Sequence, residues 1–121
     1  MTDAAAGKRV LVVEDELLVA MGLEMVLTDA GCHVVGPIGR LDEAMAAAAT
    51  EEVDVALLDV NLRGHPVFPV ADALAARGIP FVFLTGYGRE TLPASHAHGR
   101  MLSKPFEATE LVAVVADAAR P

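Results

Sequence analysis

The chain has 121 residues, 54% of them hydrophobic, and a formal net charge of −8. That length suits one domain spanning 1–121, and that apolar fraction supports a sizeable core, which excludes disorder. The acidic balance argues against a nucleic-acid face, no apolar run reaches a membrane span, and the first ten residues carry no secretory signal, so a cytoplasmic protein is expected.

In chain order, residues 8–13 end in an apolar, β-branched run and predict a buried strand that stops at Glu14-Asp15-Glu16. Residues 16–30 predict a helix whose apolar stripe is Leu17, Leu18, Met21 and Met25, widened by Val26 and Leu27, with Gly31 as its stop. Residues 32–36 predict a second strand closed by Gly36-Pro37. Its Cys32 is the single cysteine, which excludes an intrachain disulfide and reads as a small core residue. An Ala-rich helix is expected over 41–50, with Asp42 and Glu43 near its positive end.

The third strand, 54–58, stops at Asp59; residues 61–69 read as a loop and 70–77 as a helix ended by Gly78. Residues 80–84 are the fourth strand, which runs into Thr85. Over 88–99 the apolar stripe is poor and Pro93 interrupts it, which predicts a short or distorted helix, with His96 and His98 in a solvated loop. His33 and His65 read as surface or rim residues, His65 near enough to Asp59 to stand at a site mouth. The last strand, 100–102, leads into Ser103-Lys104-Pro105, and the last helix, 106–119, turns Leu111, Val112, Val115 and Ala116 inward. Met21, Met25 and Met45 are expected in the core.

Apolar strands alternating with helices imply a doubly wound parallel α/β sheet covered on both faces. Ligands bind such sheets beyond the carboxyl ends of the strands. Glu14, Asp15, Asp59, Thr85 and Lys104 should therefore converge there. Close carboxylates repel one another unless a cation sits among them or some are protonated. A small hard cation such as Mg²⁺ uses one or two carboxylates and leaves positions for phosphate oxygens. Lys104 adds a point charge and Thr85 a hydroxyl donor. The set suits phosphoryl transfer, with a carboxylate as nucleophile; Asp59, alone at the end of a central strand, is the natural choice.

The motifs VVEDE, LLDVNL, LTGYG and SKPF, in that order along the chain, resemble the receiver domain of two-component response regulators over about residues 9–118. The resemblance implies a flavodoxin-like five-stranded sheet of order 2-1-3-4-5. It implies that Asp59 is the phosphorylated residue, that Asp15 binds Mg²⁺ directly while its neighbour Glu14 acts on the ion through a water, and that the backbone carbonyl of Asn61 completes the metal site. Thr85 matches the switch hydroxyl and Lys104 the lysine that pairs with the phosphoryl group, with a cis Lys104-Pro105 bond. Partners follow on the same ground: a sensor histidine kinase or histidine phosphotransfer protein as donor, and a downstream protein as output. The expected protein is a phosphoryl acceptor that slowly dephosphorylates itself rather than a conventional enzyme, and a monomer or weak dimer.

One position departs from the family pattern. Met101 stands where receivers usually carry a switching Phe or Tyr. The stretch PFVFLTGYG resembles a subfamily, often single-domain, with a PFxFATGYG signature, in which the loop tyrosine is thought to move instead. That likeness assigns the switch to Tyr87 together with Thr85, and with the Met1 start it favours a stand-alone receiver. Two other classes share parts of the pattern. A flavin binder would want a Ser/Thr/Gly phosphate loop where this chain has Glu14-Asp15-Glu16, and an aspartate-nucleophile hydrolase would want a second acid/base carboxylate where Val60 and Asn61 stand.

Overall fold

A computed structural model of the protein describes residues 4–86, 92–96 and 99–120. Strands β1 (Arg9–Val13), β2 (His33–Ile38), β3 (Val55–Asp59), β6 (Phe81–Thr85) and β7 (Arg100–Ser103) form one five-stranded sheet in the order β2-β1-β3-β6-β7, all pairs parallel. This is the predicted doubly wound, flavodoxin-like order 2-1-3-4-5, counted over the five sheet strands. Among the described residues the remaining elements are helices α1 (Leu17–Asp29), α2 (Leu41–Thr50), α3 (Phe68–Ala76) and α4 (Ala108–Ala118), a 3₁₀ turn at Ala94–His96, and a small antiparallel pair, β4 (Asn61–Leu62) with β5 (His65–Pro66).

Alternation along each strand divides the core. Val10, Val12, Val55, Leu57, Val82 and Leu84 face one layer, where Leu23 and Leu27 of α1 and Leu111 and Val115 of α4 meet them. Leu11, Val13, Ala56, Leu58 and Phe83 face the other, under Ala44 and Ala48 of α2 and Val70, Ala71 and Leu74 of α3. A sheet buried on both faces explains why the strands read as unbroken apolar runs. Ala5 is fully buried against the first layer, so the core begins upstream of residue 9. Cys32 is buried there too, its thiol donating to the Ala5 carbonyl at 3.3 Å.

Several sequence expectations need correction. The stripe assigned to the core on α1 faces outward: Leu17, Leu18, Met21 and Met25 are 72%, 83%, 52% and 64% exposed. Of the expected stripe only its Val26–Leu27 edge turns inward: Leu27 is buried together with Ala20 and Leu23, and Val26 packs partly buried beside them. The helix is apolar nearly all round, and periodicity cannot choose a face when both faces qualify. Met45 is half-buried against the second layer, as expected. Strand β2 does not close at Gly36 but runs through the cis Gly36–Pro37 bond to Ile38, with a register irregularity opposite β1. Gly36 has φ 101°, and a Cβ there would lie 2.9 Å from both the Val12 carbonyl oxygen and the Ile38 nitrogen, so only glycine fits. Residues 61–69 are not simply a loop, since they hold the β4–β5 hairpin and the start of α3.

The segment expected to be short or distorted contains the 3₁₀ turn Ala94–His96. His96 does not sit in solvent. Its ring lies 5.1 Å from that of Phe68 and 5.6 Å from that of Phe83, is 12% exposed, and pairs through Nε2 with Asp72 Oδ1 at 3.0 Å. His98 lies outside the described residues.

Candidate functional site

Strand register brings the predicted groups to one edge. Val13 pairs with Leu58, Asp59 with Leu84, and Thr85 with Ser103, so β1, β3, β6 and β7 end nearly level. Glu14, Asp59, Thr85 and Lys104 occupy or directly follow these ends. Asp15, Asp59, Asn61, Arg63, Thr85 and Lys104 are among the residues lining a cleft of about 640 Å³. At about 30 Å³ per water, that is ample for a hydrated cation and a phosphoryl group.

Three of the groups are deeply placed: Glu14 is 2%, Asp59 8% and Thr85 3% exposed. One oxygen from each of Glu14, Asp15 and Asp59 lies within 4.8 Å of the others. Lys104, whose peptide bond to Pro105 is cis, reaches into this cluster. Its Nζ donates to Glu14 Oε1 at 2.8 Å and stands 3.6 Å from Asp59 Oδ1. Its closest bond is to Glu14, which holds the ammonium beside Asp59, the predicted acceptor. Glu14 Oε2 accepts from the Glu16 N–H at 3.1 Å, so each of its oxygens has a partner.

The electrostatics follow from crowding. Burial, then the hydrogen bond and charge of Glu14, raise the Asp59 carboxyl from its ordinary range to about 7, against the opposing pull of Lys104 and the Asn61 N–H. Burial alone would lower Lys104, but its bond to Glu14 and the charges of Asp59, Glu14 and Glu16 raise it, so it stays an ammonium. One cation against three carboxylates leaves the cluster negative. Hard oxygen donors with surplus negative charge fit a small divalent cation, which Glu14, Asp15 and Asp59 would hold.

The β4–β5 hairpin frames the cleft. Asn61 donates its N–H to Asp59 Oδ1 at 3.3 Å, and its side-chain Oδ1 accepts from the Gly64 N–H at 2.8 Å. The Arg63 N–H donates to Asp15 Oδ2 at 3.1 Å. Arg63 was not legible as a site residue, because its contribution is a backbone group presented by a turn. His65 is exposed and does not line the Asp59 cleft; it lines a neighbouring groove with Gly39, Arg40 and Leu41, which meets the cleft at Arg63. Met101 is a half-buried β7 residue paired in register with Phe83. Tyr87, assigned to the switch, lies outside the described residues.

Comparison with known proteins agrees with this geometry. The family model for the response regulator receiver domain matches residues 10–116. Among curated proteins, the transcriptional regulatory protein PdtaR of Mycobacterium tuberculosis is 32% identical over 117 residues, covering 93% of this chain and 57% of that protein. This chain spans about half the length of the curated relatives it matches. The solution structure of SdrG from Sphingomonas melonis Fr1 is 40% identical with a TM-score of 0.79, covering 95% of this chain and 97% of that one; the BeF3-activated conformation of SdrG matches at 41% and 0.77, covering 93% and 96%. The receiver domain of the sensor histidine kinase PA1611 from Pseudomonas aeruginosa PAO1, with magnesium coordinated in its active-site cleft, shares the fold at 24% identity and TM-score 0.81, covering 94% and 98%. The chain is a member of the response regulator receiver family.

Proposed function

We propose that this protein is a phosphoryl-accepting signalling switch, in which Asp59 takes a phosphoryl group from a phosphohistidine on a partner kinase or phosphotransfer protein. The observation that carries the reading is the single cleft in which Asp59 lies beside Lys104 and within one cluster with Glu14 and Asp15. An Asp59 carboxylate oxygen forms the new bond to phosphorus. The P–N bond to the donor imidazole breaks, and that nitrogen keeps the electron pair and takes a proton. Mg²⁺, when bound by Glu14, Asp15, Asp59 and the Asn61 carbonyl, neutralises charge on the phosphoryl oxygens. Lys104 stands beside Asp59 to receive one such oxygen, and the Thr85 hydroxyl supplies a donor to another. Water later cleaves the acyl phosphate, so the protein is an acceptor that resets itself rather than a turnover enzyme.

The outward face of α1 supports a helical protein donor. Leu18 and Val19 border a groove that also contains Glu16, Lys104, Pro105 and Phe106, and Glu16 and Lys104 belong to the Asp59 cleft as well. An apolar stripe running to the mouth of the site gives a phosphohistidine-bearing helix a surface to dock on. The output is a change in protein–protein contacts, with Thr85 and Tyr87 as the moving groups; a net charge of −8 does not favour direct contact with nucleic acid. No helix among the described residues is long and apolar enough to cross a membrane, and the reading assigns the protein to the cytoplasm, where kinases are charged by ATP.

Intact-mass spectrometry with a small phosphodonor tests the chemistry. One added phosphoryl group is expected on the native chain with Mg²⁺, and none without Mg²⁺ or in Asp59→Asn. Equal labelling of Asp59→Asn would overturn the assignment. Tyr87→Ala should accept the group at the native rate but fail to pass the signal on, and normal signalling by that variant would remove Tyr87 from the switch.

A further inference from the structure

Among the described residues, Arg63 is the only non-glycine with positive φ, at 51°, and Gly64 follows at 85°. Leu62 pairs with His65, so these two residues are the whole turn of the β4–β5 hairpin. Two central residues of positive φ make a type I′ turn, whose first position favours Asn, Asp or Gly. Arginine is a costly choice there, since its Cβ crowds the backbone. A strained residue beside a reactive cleft calls for an explanation in function.

The backbone provides one. In this conformation the Arg63 N–H points across from the β3–α3 connection to the β1–α1 connection and donates to Asp15 Oδ2. The same hairpin is pinned from within by Asn61 Oδ1 on the Gly64 N–H, and Asn61 in turn donates to Asp59. A short, internally braced turn therefore fixes two carboxylates of the cluster that come from different strands. Asp15 is half-exposed, and this bond restrains the rotation of its carboxylate. With one oxygen held, the carboxylate is oriented before an ion arrives, and less rotational freedom is lost on binding.

We propose that Arg63 is a positioning residue: its left-handed backbone clamps Asp15 and thereby sets the affinity of the cleft for a divalent cation. The inference rests on the metal-site reading above. Arg63 also lines the cleft, and its side chain carries a positive charge that opposes an entering cation, so the test must separate backbone from charge. Arg63→Asn and Arg63→Val both remove the charge, but Asn tolerates the left-handed conformation and a β-branched Val does not.

Mg²⁺ is titrated into the native chain and both variants by calorimetry, with urea denaturation as a fold control. Arg63→Asn should bind Mg²⁺ at least as tightly as the native chain, and Arg63→Val about fivefold or more weaker than Arg63→Asn. Equal affinities in the two variants would overturn the clamp, even if Val lowers stability. A native chain that binds no Mg²⁺ would sink the metal reading itself, a distinct result. Should Arg63→Val fail to fold, the bond is read in the intact hairpin by amide hydrogen exchange. In Asp15→Ala the Arg63 amide should exchange about threefold or more faster, while Gly64, bonded to Asn61, keeps its rate. An unchanged Arg63 rate would overturn the proposal.

Discussion

Asp59 sits in a contest between burial and charge, and its pH behaviour follows from that contest. An unfolded aspartate releases its proton near pH 4, whereas the folded one holds it to about pH 7 because it is buried beside Glu14. Stability gained from that proton is full below about pH 4 and is lost as pH rises towards 7. Asparagine reproduces the protonated form at every pH. In Mg²⁺-free buffer, Asp59→Asn should therefore be more stable than the native chain by roughly 1–3 kcal/mol at pH 8, with the gap closing near pH 4. Urea denaturation at several pH values measures it. A gap independent of pH would mean that the charge on Asp59 costs the fold nothing.

At the level of elements, what was legible depended on how much of the answer lay within one segment. Strand ends at Glu14, Asp59, Thr85 and Lys104 were readable because a parallel sheet with level strand ends turns four local stops into one site. The buried face of α1 was legible only at Leu27, because Leu17, Leu18, Met21 and Met25 make as good a stripe as Ala20 and Leu23. The two faces predict different costs. Leu18→Ser and Met21→Ser should each change stability by less than about 0.5 kcal/mol. Leu23→Ala should cost about 2–5 kcal/mol through the cavity it leaves. Thermal or urea denaturation distinguishes them, and a large loss in Leu18→Ser would restore the stripe to the core. His96 was hidden for a different reason: its partners Phe68, Asp72 and Phe83 lie far from it in sequence. Removing its ring in His96→Ala should cost about 1–2 kcal/mol, since two aromatic contacts are lost, and an unchanged melting point would return it to solvent. The Arg63 hairpin evaded the sequence altogether, because Arg-Gly is a weak turn signal beside Asn-Gly or Asp-Gly.

Across the whole molecule, the acidic cleft couples ion binding to global stability. Lys104 balances only part of the charge that Glu14, Asp15 and Asp59 bring together, and nothing in the unfolded chain assembles these residues. A cation that binds the folded state alone must raise stability, by about 2.7 kcal/mol when its concentration is a hundred times its dissociation constant. Mg²⁺ should therefore raise the melting temperature of the native chain and leave Asp15→Ala almost unmoved. The increment should also shrink as pH falls below about 7, where the proton on Asp59 competes with the ion. Scanning calorimetry at pH 6 and pH 8, with and without Mg²⁺, reads both effects. If Asp15→Ala gains as much as the native chain, the stabilising ion binds elsewhere on the acidic surface. If the native chain gains equally at both pH values, the ion does not displace the Asp59 proton, and Asp59 is not among its ligands.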